Sequence, residues 1–491
     1  MTDEFMDEAD LKLLMQAALD QAQQGGARYA DVRVVRLQTQ NLLVKNGIVE
    51  SIRSSESAGF GVRVLVEDGW GFASSHSLSA AEVEHAAALA LEIGRASHVP
   101  GAPHIDLGPA VTSQGRYATP LRINPFDVPL ADKLALLLQA DAELGRVPNL
   151  RTRTASLAFQ QEHKVFANTE GAFTEQTLVE CGGGIQALAV NEGEVQARSY
   201  PNSFGRNQVT GGWEQILAWD LPGNGLRVGQ EALALLAADA CPAGLTTTLI
   251  LGGDQMALQV HESCGHATEL DRVFGSEAAY AGTSFLTTDK LGSFHYGSQL
   301  VNLTADSLRS LGLGTFGWDD EGLPAQSSPL VREGLFVGYL MSRESAARLG
   351  RTSNGCMRAS GWNRTPIVRM TNVSLEPGAW DLEDLVADTD DGIYMETNRS
   401  WSIDDRRLNF QFGTELGWEI KHGKRTRLLR NPTYMGSTPE FWNSCDAVCG
   451  PGDWRMWGTP NCGKGKPSQT VHTGHGAAPA RFRNIRVGVL K

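Results

Sequence analysis

The sequence predicts an α+β fold: an N-terminal domain of antiparallel sheet backed by helices (1–225), then a C-terminal β-rich, barrel-like domain (226–491) carrying a candidate metal-site helix. Three observations predict it. Through the first part of the chain, helical periodicity alternates with β-rich runs punctuated by Gly turns. The stretch DLPGNGLRVGQEALALLAADACPAG (220–244) then reads as a short helix between two Pro/Gly turns, and it places the boundary. Beyond it, short strands, aromatics and Gly turns dominate, as in closed β architectures. At 491 residues the chain also exceeds what one core usually organises.

The elements follow in order. Residues 8–25 carry apolar positions at three- and four-residue spacing and end at a Gly pair, so they read as an amphipathic helix. In NLLVKNGIVESIRSSESAGFGVRVLVEDGWGFASS (41–75), Asn46-Gly47 and Asp68-Gly69 mark hairpin turns. Helices are expected over about 79–96 and 128–145, the second leading to KVFANTEGAFTEQTLVECGGGIQALAVNEGEVQARS (164–199). The two β passages align loosely, Gly47 with Gly171, Gly61-Val62 with Gly184-Ile185 and Gly69 with Gly193. Past the boundary, TTTLILG (246–252) is a β-rich run.

A net charge of −13 argues against nucleic-acid and anionic-membrane partners, both of which need a concentrated positive field. The acidic opening MTDEFMDEAD is unlike a signal peptide, and no apolar run is long enough to span a bilayer. Seven Cys spread thinly over the chain fit reduced thiols better than a disulfide framework, so a cytoplasmic protein is expected.

The chemistry concentrates in VHESCGHATEL (260–270), one residue longer than the H-E-x-x-H pattern of zinc proteases. On a regular helix, His residues four apart lie about 40° from each other, and five apart about 140°. A π turn absorbs one extra residue, and Gly265, without a Cβ, sits where such a distortion costs least. His261 and His266 are then candidate ligands. The adjacent Glu262 would face an attacking water as general base. Cys264, three residues after His261, forms a rival pair with it that needs no bulge; its other reading is a buried core thiol.

Four ordered segments resemble the TldD/PmbA family of zinc metallopeptidases, in its catalytic TldD-like branch: HESCGHATELD (261–271), GTFGWDDEG (314–322), RASGWNRTPIVRMTNVSLEPG (358–378) and NCGKGKPSQTVHTGHGAAPARFRNIRVG (461–488). The resemblance implies a third ligand at Cys462, hence one zinc per catalytic chain held by His261, His266 and Cys462. It further implies cleavage of peptides or unfolded protein segments, and an assembly of two subunits that encloses the site. That assembly would be a homodimer or a heterodimer with a PmbA-like subunit. His475, in GHGAAPARFRN, reads as lining the site near the developing oxyanion or else as a turn His among glycines. By analogy with the family, strand edges at Arg369, Thr371 and Asn372 and at Asn409 to Phe412 would hold an extended peptide through its main chain, the other reading being buried structural strands.

Other readings stay open on the residues alone. One is a non-catalytic, peptide-binding partner subunit; another is a zinc amidase acting on a non-peptide amide, which would use the same water and base. Cys445, Cys449, Cys462, His472 and His475 form a loose pattern for a separate structural zinc site. Asp319, Asp320 and Glu321 read as structural acids, since consecutive side chains do not converge on one ion, with Arg358 and Arg364 as partners.

Overall fold

The computed structural model describes residues 7–489. Helix α1 (Glu8–Gln24) buries Leu11, Leu14, Met15, Ala18, Leu19 and Ala22, the stripe read from the sequence, and Asp7 caps it by accepting from the Asp10 N–H at 2.9 Å. It packs on the first sheet beside α2 (Ala80–Ser97). That sheet holds two successive meanders. β1 (Tyr29–Lys45), β2 (Ile48–Val66) and β3 (Gly69–Ser75) are 17, 19 and 7 residues long. After the short β4 (Gln114–Ala118) and α3 (Leu130–Gly145) come β5 (Leu150–Asn168), β6 (Phe173–Asn191) and β7 (Glu194–Tyr200), of 19, 19 and 7 residues. β1 pairs antiparallel with β5, so the two meanders meet about an approximate two-fold axis. Of the aligned glycines, Gly47 with Gly171 and Gly69 with Gly193 fall at equivalent connections, and Gly61 with Gly184 in the equivalent strands β2 and β6.

One of those turns works differently from the expectation. Between β2 and β3 the left-handed residues are Glu67 (φ +49°) and Asp68 (φ +60°). Gly69 is glycine because a Cβ there would collide with the Gly94 carbonyl of α2. The residue that looked like turn chemistry is a helix-packing contact.

β8 (Asn207–Thr210) completes the sheet, followed by α4 (Trp213–Ala218) and α5 (Leu221–Ala237). The 225/226 position falls inside α5, whose Leu221, Val228 and Ala232 pack in the core of the first sheet. In the second region five strands close on themselves: Asp391–Ile403, Leu245–Leu251, Ala480–Val489, Pro432–Ser437 and Asn409–Lys421, the last pairing back to the first. Closure removes the free edges of the ring, and it encloses a core with Phe410, Phe412, Tyr434, Phe441 and Phe482.

Buried ion pairs join the two halves. Asp320 meets Lys164 of β5 at 2.8 Å and Arg33 of β1 at 3.6 Å; Glu321 meets Arg63 of β2 at 3.5 Å. The acids are structural, as expected. Their partners are not those expected: Arg358 donates to the carbonyls of Leu313, Met370 and His472, and the Arg364 guanidinium donates to the neighbouring Asn363 carbonyl. Arg198 of β7 likewise reaches Glu396 and Glu415 of the barrel. Asn202, Ser203, Phe204 and Arg206 of the first half line a cavity together with residues of the barrel half.

Candidate metal centre

Helix α6 (Gly253–Val260) follows the Leu245–Leu251 strand and runs straight into one wide turn, His261–Gly265, where the His266 N–H reaches back to the His261 carbonyl. This five-residue span is a π turn. It brings His261 and His266 to one side with ring centroids 4.9 Å apart, edge to face. The surplus residue is absorbed as the motif requires, but glycine is needed for another reason. Gly265 keeps an ordinary helical φ of −51°, while a Cβ there would collide with the Met370 Sδ. The Thr268 hydroxyl closes the turn on the Cys264 and Gly265 carbonyls, each at 3.0 Å. Cys264 is fully buried in the core, where burial pushes its thiol far up, and it is not in the group of clustered donor atoms.

Cys462 arrives on the hairpin of Arg455–Lys464 and Gln469–Ala477, whose register shifts between Thr459 and Cys462. Bulges of this kind re-aim side chains beside functional sites. The Cys462 Sγ lies 3.5 Å from His266 Nε2, and donor atoms of His261, His266 and Cys462 all fall within 4.8 Å of one another. Cys445 and Cys449 do not join them: Cys449 sits in a different core cluster, neither sulfur is among the clustered donor atoms, and His472 is engaged by Glu180 at 2.6 Å. The second zinc site considered from the sequence does not form among these residues.

The hydrogen-bond network assigns the protons. The Val373 carbonyl can only accept, so His475 donates to it from Nδ1 at 2.8 Å and its Nε2 is an acceptor. His261 must then donate from Nδ1 to that Nε2, at 2.7 Å, which leaves His261 Nε2 with a bare lone pair. His266 donates from Nδ1 to Glu269 at 2.9 Å, baring its own Nε2 toward Cys462. Burial lowers the pKa of His261 and drives that of His266 well below the usual value, so both rings are neutral. Burial pushes the Cys462 thiol up, the Arg369 guanidinium beside it pulls it down, and the net shift is down. Two neutral imidazoles and a thiol biased toward thiolate are the donor set that a borderline-soft divalent ion takes. The residues fit a metal.

Glu269 is itself held by Arg272 at 3.6 Å and Lys464 at 3.5 Å, all three side chains fully buried. Such carboxylates fix a ligand's tautomer and strengthen it as a donor. The substitution Glu269→Gln is expected to weaken metal binding by about 10- to 100-fold, read by competition with a calibrated chelator.

Glu262 sits beside the donors and accepts from Arg407 Nη1 at 2.7 Å. The four residues line a cavity of about 300 Å³. Its rim carries Phe204, in the left-handed conformation at φ +58°, stacked edge to face on Trp401 with centroids 6.3 Å apart; both rings are about half exposed.

The residues expected to hold substrate lie elsewhere. Arg369 is fully buried and donates to the Cys462 carbonyl at 2.6 Å, bracing the hairpin strand. Asn372 accepts from the Gly314 N–H and donates to Asp306 and Thr315, with Thr371 buried next to it. Asn409 and Phe412 belong to a barrel strand paired on both sides, which leaves no edge for a peptide; Phe412 is in the core and Asn409 is bound to Asp404. His475 spends both ring nitrogens on His261 and Val373, so it orients a ligand candidate and offers nothing to an oxyanion. Sequence reading missed Glu269, Arg407, Phe204 and Trp401. Only Glu269 left a local signal, three residues after His266 on the motif's own turn.

Fold and site together define a closed β-barrel that presents a His–His–Cys donor set, a carboxylate and an arginine in one buried cavity. Three family models match in sequence order: PmbA/TldA metallopeptidase domain 1 (30–94), central domain (123–238) and C-terminal domain (245–488). The chain belongs to this PmbA/TldD metallopeptidase family. It is 29% identical over 451 residues to metalloprotease MJ0996 of Methanocaldococcus jannaschii, covering 91% of this chain and 95% of that one. It is 26% identical over 468 residues to the metalloprotease TldD homolog of Haemophilus influenzae, covering 94% and 92%. Among solved structures, protein TM0727 of Thermotoga maritima superposes with a TM-score of 0.77 at 14% identity, over 97% of this chain and all of that one. TldE of Thermococcus kodakarensis superposes at 0.71 and 16% identity, with the same coverage.

Proposed function

We propose that the chain is a zinc-dependent peptidase that hydrolyses peptides or unfolded protein segments. The observation that carries the reading is that Glu262 and the three donors converge in one buried cavity. A zinc ion held by His261, His266 and Cys462, one per chain, would supply Lewis acidity to the carbonyl and the attacking water. Glu262 takes a proton from that water as its oxygen adds to the carbonyl carbon. It returns the proton to the amide nitrogen as the C–N bond breaks. The base is 6% exposed, so an extended chain reaches it where a folded surface does not. Relatives named metalloproteases support the class.

The family's two-subunit arrangement, homodimer or heterodimer with a related subunit, would narrow access further. Seven free, buried thiols suit the cytoplasm. The competing readings, a non-catalytic partner and an amidase for non-peptide amides, are separated by one comparison. Wild type and Glu262→Ala are incubated with a reduced casein digest, and metal is counted in both. The expected result is one zinc per chain in each, cleavage by wild type that a chelator stops, and a loss of about 10²- to 10⁴-fold in the variant. Undiminished cleavage by Glu262→Ala would remove it as the base; metal-loaded wild type that cuts only non-peptide amides would favour the amidase.

A further inference from the structure

The least expected member of the cavity is Arg407, which comes from the Asp404–Asn409 turn between two barrel strands, 145 residues from Glu262. That turn is built to aim it. The Asp404 carboxylate accepts from the Arg406, Leu408 and Asn409 N–H groups at 3.1, 2.8 and 3.0 Å, and the Thr438 hydroxyl donates to the Arg407 carbonyl at 2.9 Å. Arg407 itself is left-handed at φ +62°, a conformation that a residue with a Cβ adopts only when its surroundings impose it.

The guanidinium is then underused. Its side chain is 13% exposed, and among the described residues its single acidic partner is Glu262, through Nη1. Among the described residues Nε is covered without any acceptor, and Nη2 makes no hydrogen bond. A covered donor without an acceptor is costly and rare, and Nε is one; Nη2 is not covered, which leaves it open to a group that arrives with the ligand. His475, the donor first expected there, is fully engaged elsewhere.

We propose that Arg407 is a catalytic residue that donates to the carbonyl oxygen of the scissile amide. The inference rests on the peptidase reading. As the water oxygen adds to the carbonyl carbon, the carbonyl π pair moves onto oxygen, which takes the negative charge, and Glu262 takes the proton. Arg407 meets that charge from Nη2 while Nη1 keeps Glu262 in place. It gives up no proton at any step, since guanidinium stays protonated in proteins. When the C–N bond breaks, the oxyanion re-forms the carbonyl and the nitrogen takes the proton from Glu262. A donor aimed at developing charge acts on kcat more than on KM.

The test uses the full-length chain, a fluorogenic peptide spanning a bond that wild type cuts in reduced casein, and a phosphinic peptide of the same sequence that mimics the tetrahedral oxyanion. For Arg407→Met we expect kcat to fall about 10²- to 10³-fold with KM little changed and metal content intact. Affinity for the phosphinic peptide should fall in step with kcat/KM, and Arg407→Lys should recover part of both. An unchanged kcat overturns the inference. So does a fall in kcat with phosphinic affinity untouched, because Arg407 would then only hold Glu262. Should Arg407→Met fail to fold, Arg407→Gln is judged by the same two ratios. Wild type that cleaves no peptide sinks the peptidase reading as well; active wild type with an indifferent Arg407 sinks this inference alone.

Discussion

The Cys462→Ser protein is expected to purify nearly free of metal and inactive, while Cys264→Ser carries as much metal as wild type. Both thiols are buried, yet their surroundings differ in sign. Cys264 lies among apolar side chains of the core, and burial alone raises its pKa. Cys462 has the Arg369 charge beside it, which opposes burial and favours the thiolate that binds metal. Removing that thiolate from a three-donor set should weaken binding by more than the ~10- to 100-fold that an outer hydrogen-bond partner is worth. Elemental analysis after dialysis against a weak chelator reads the difference. The opposite pattern, metal lost with Cys264 and kept without Cys462, would hand the site to the His261/Cys264 pair.

The second large effect concerns stability. The Asp320→Ala protein is expected to lose about 3–5 kcal/mol, because removing one member of a buried ion cluster strands the others. Asp320 is 1% exposed between Lys164, 10%, and Arg33, 1%. Burial pushes its carboxyl up, but those two cations pull it below the ordinary range, so it is charged in the folded protein. Its Oδ2 also accepts from the Ala359 N–H at 2.6 Å. Arg33 and Lys164 belong to the first sheet and Asp320 to the second half, so the loss falls on the junction between the two halves that line the cavity together. Equilibrium unfolding in urea measures it, with Asp391→Ala as the control. Asp391 pairs with Lys421 in the open, where solvent screens the interaction, and its removal should leave the midpoint unmoved. An Asp320→Ala midpoint equal to the control's would show that the junction does not depend on this cluster.

The helices and hairpins of the first half were legible because their signals are local. The α1 stripe, the Asn46-Gly47 turn and the paired meanders each lie within a few tens of residues, and periodicity reports them directly. Glycine was the less reliable letter. Gly69 and Gly265 were both read as backbone freedom, and both are instead glycine because a neighbour, Gly94 of α2 or Met370, comes too close. A close approach has no sequence signature, since the atom that excludes the side chain belongs to a different element. The substrate-binding assignments failed for a related reason. A strand reads the same in sequence whether its edge is free or paired; barrel closure pairs Phe412 on both sides, and Asn409 pairs with Ser437 while its carbonyl accepts from the Asp404 N–H.

The sequence by itself determined the α+β class, the His261–Glu262–His266 unit with its need for a distorted turn, and, through family resemblance, Cys462. These rest on chain-local spacing or on ordered motifs, which need no coordinates. Only the tertiary structure decided the rest: that the turn is a π turn, that His475 and Glu269 set the tautomers of the two imidazoles, and that Arg407 meets Glu262. The physical reason is the same in each case. Proton placement and charge pairing depend on which side chains lie within about 3 Å, and here those partners come from a hairpin and a barrel turn far along the chain, brought in by folding alone.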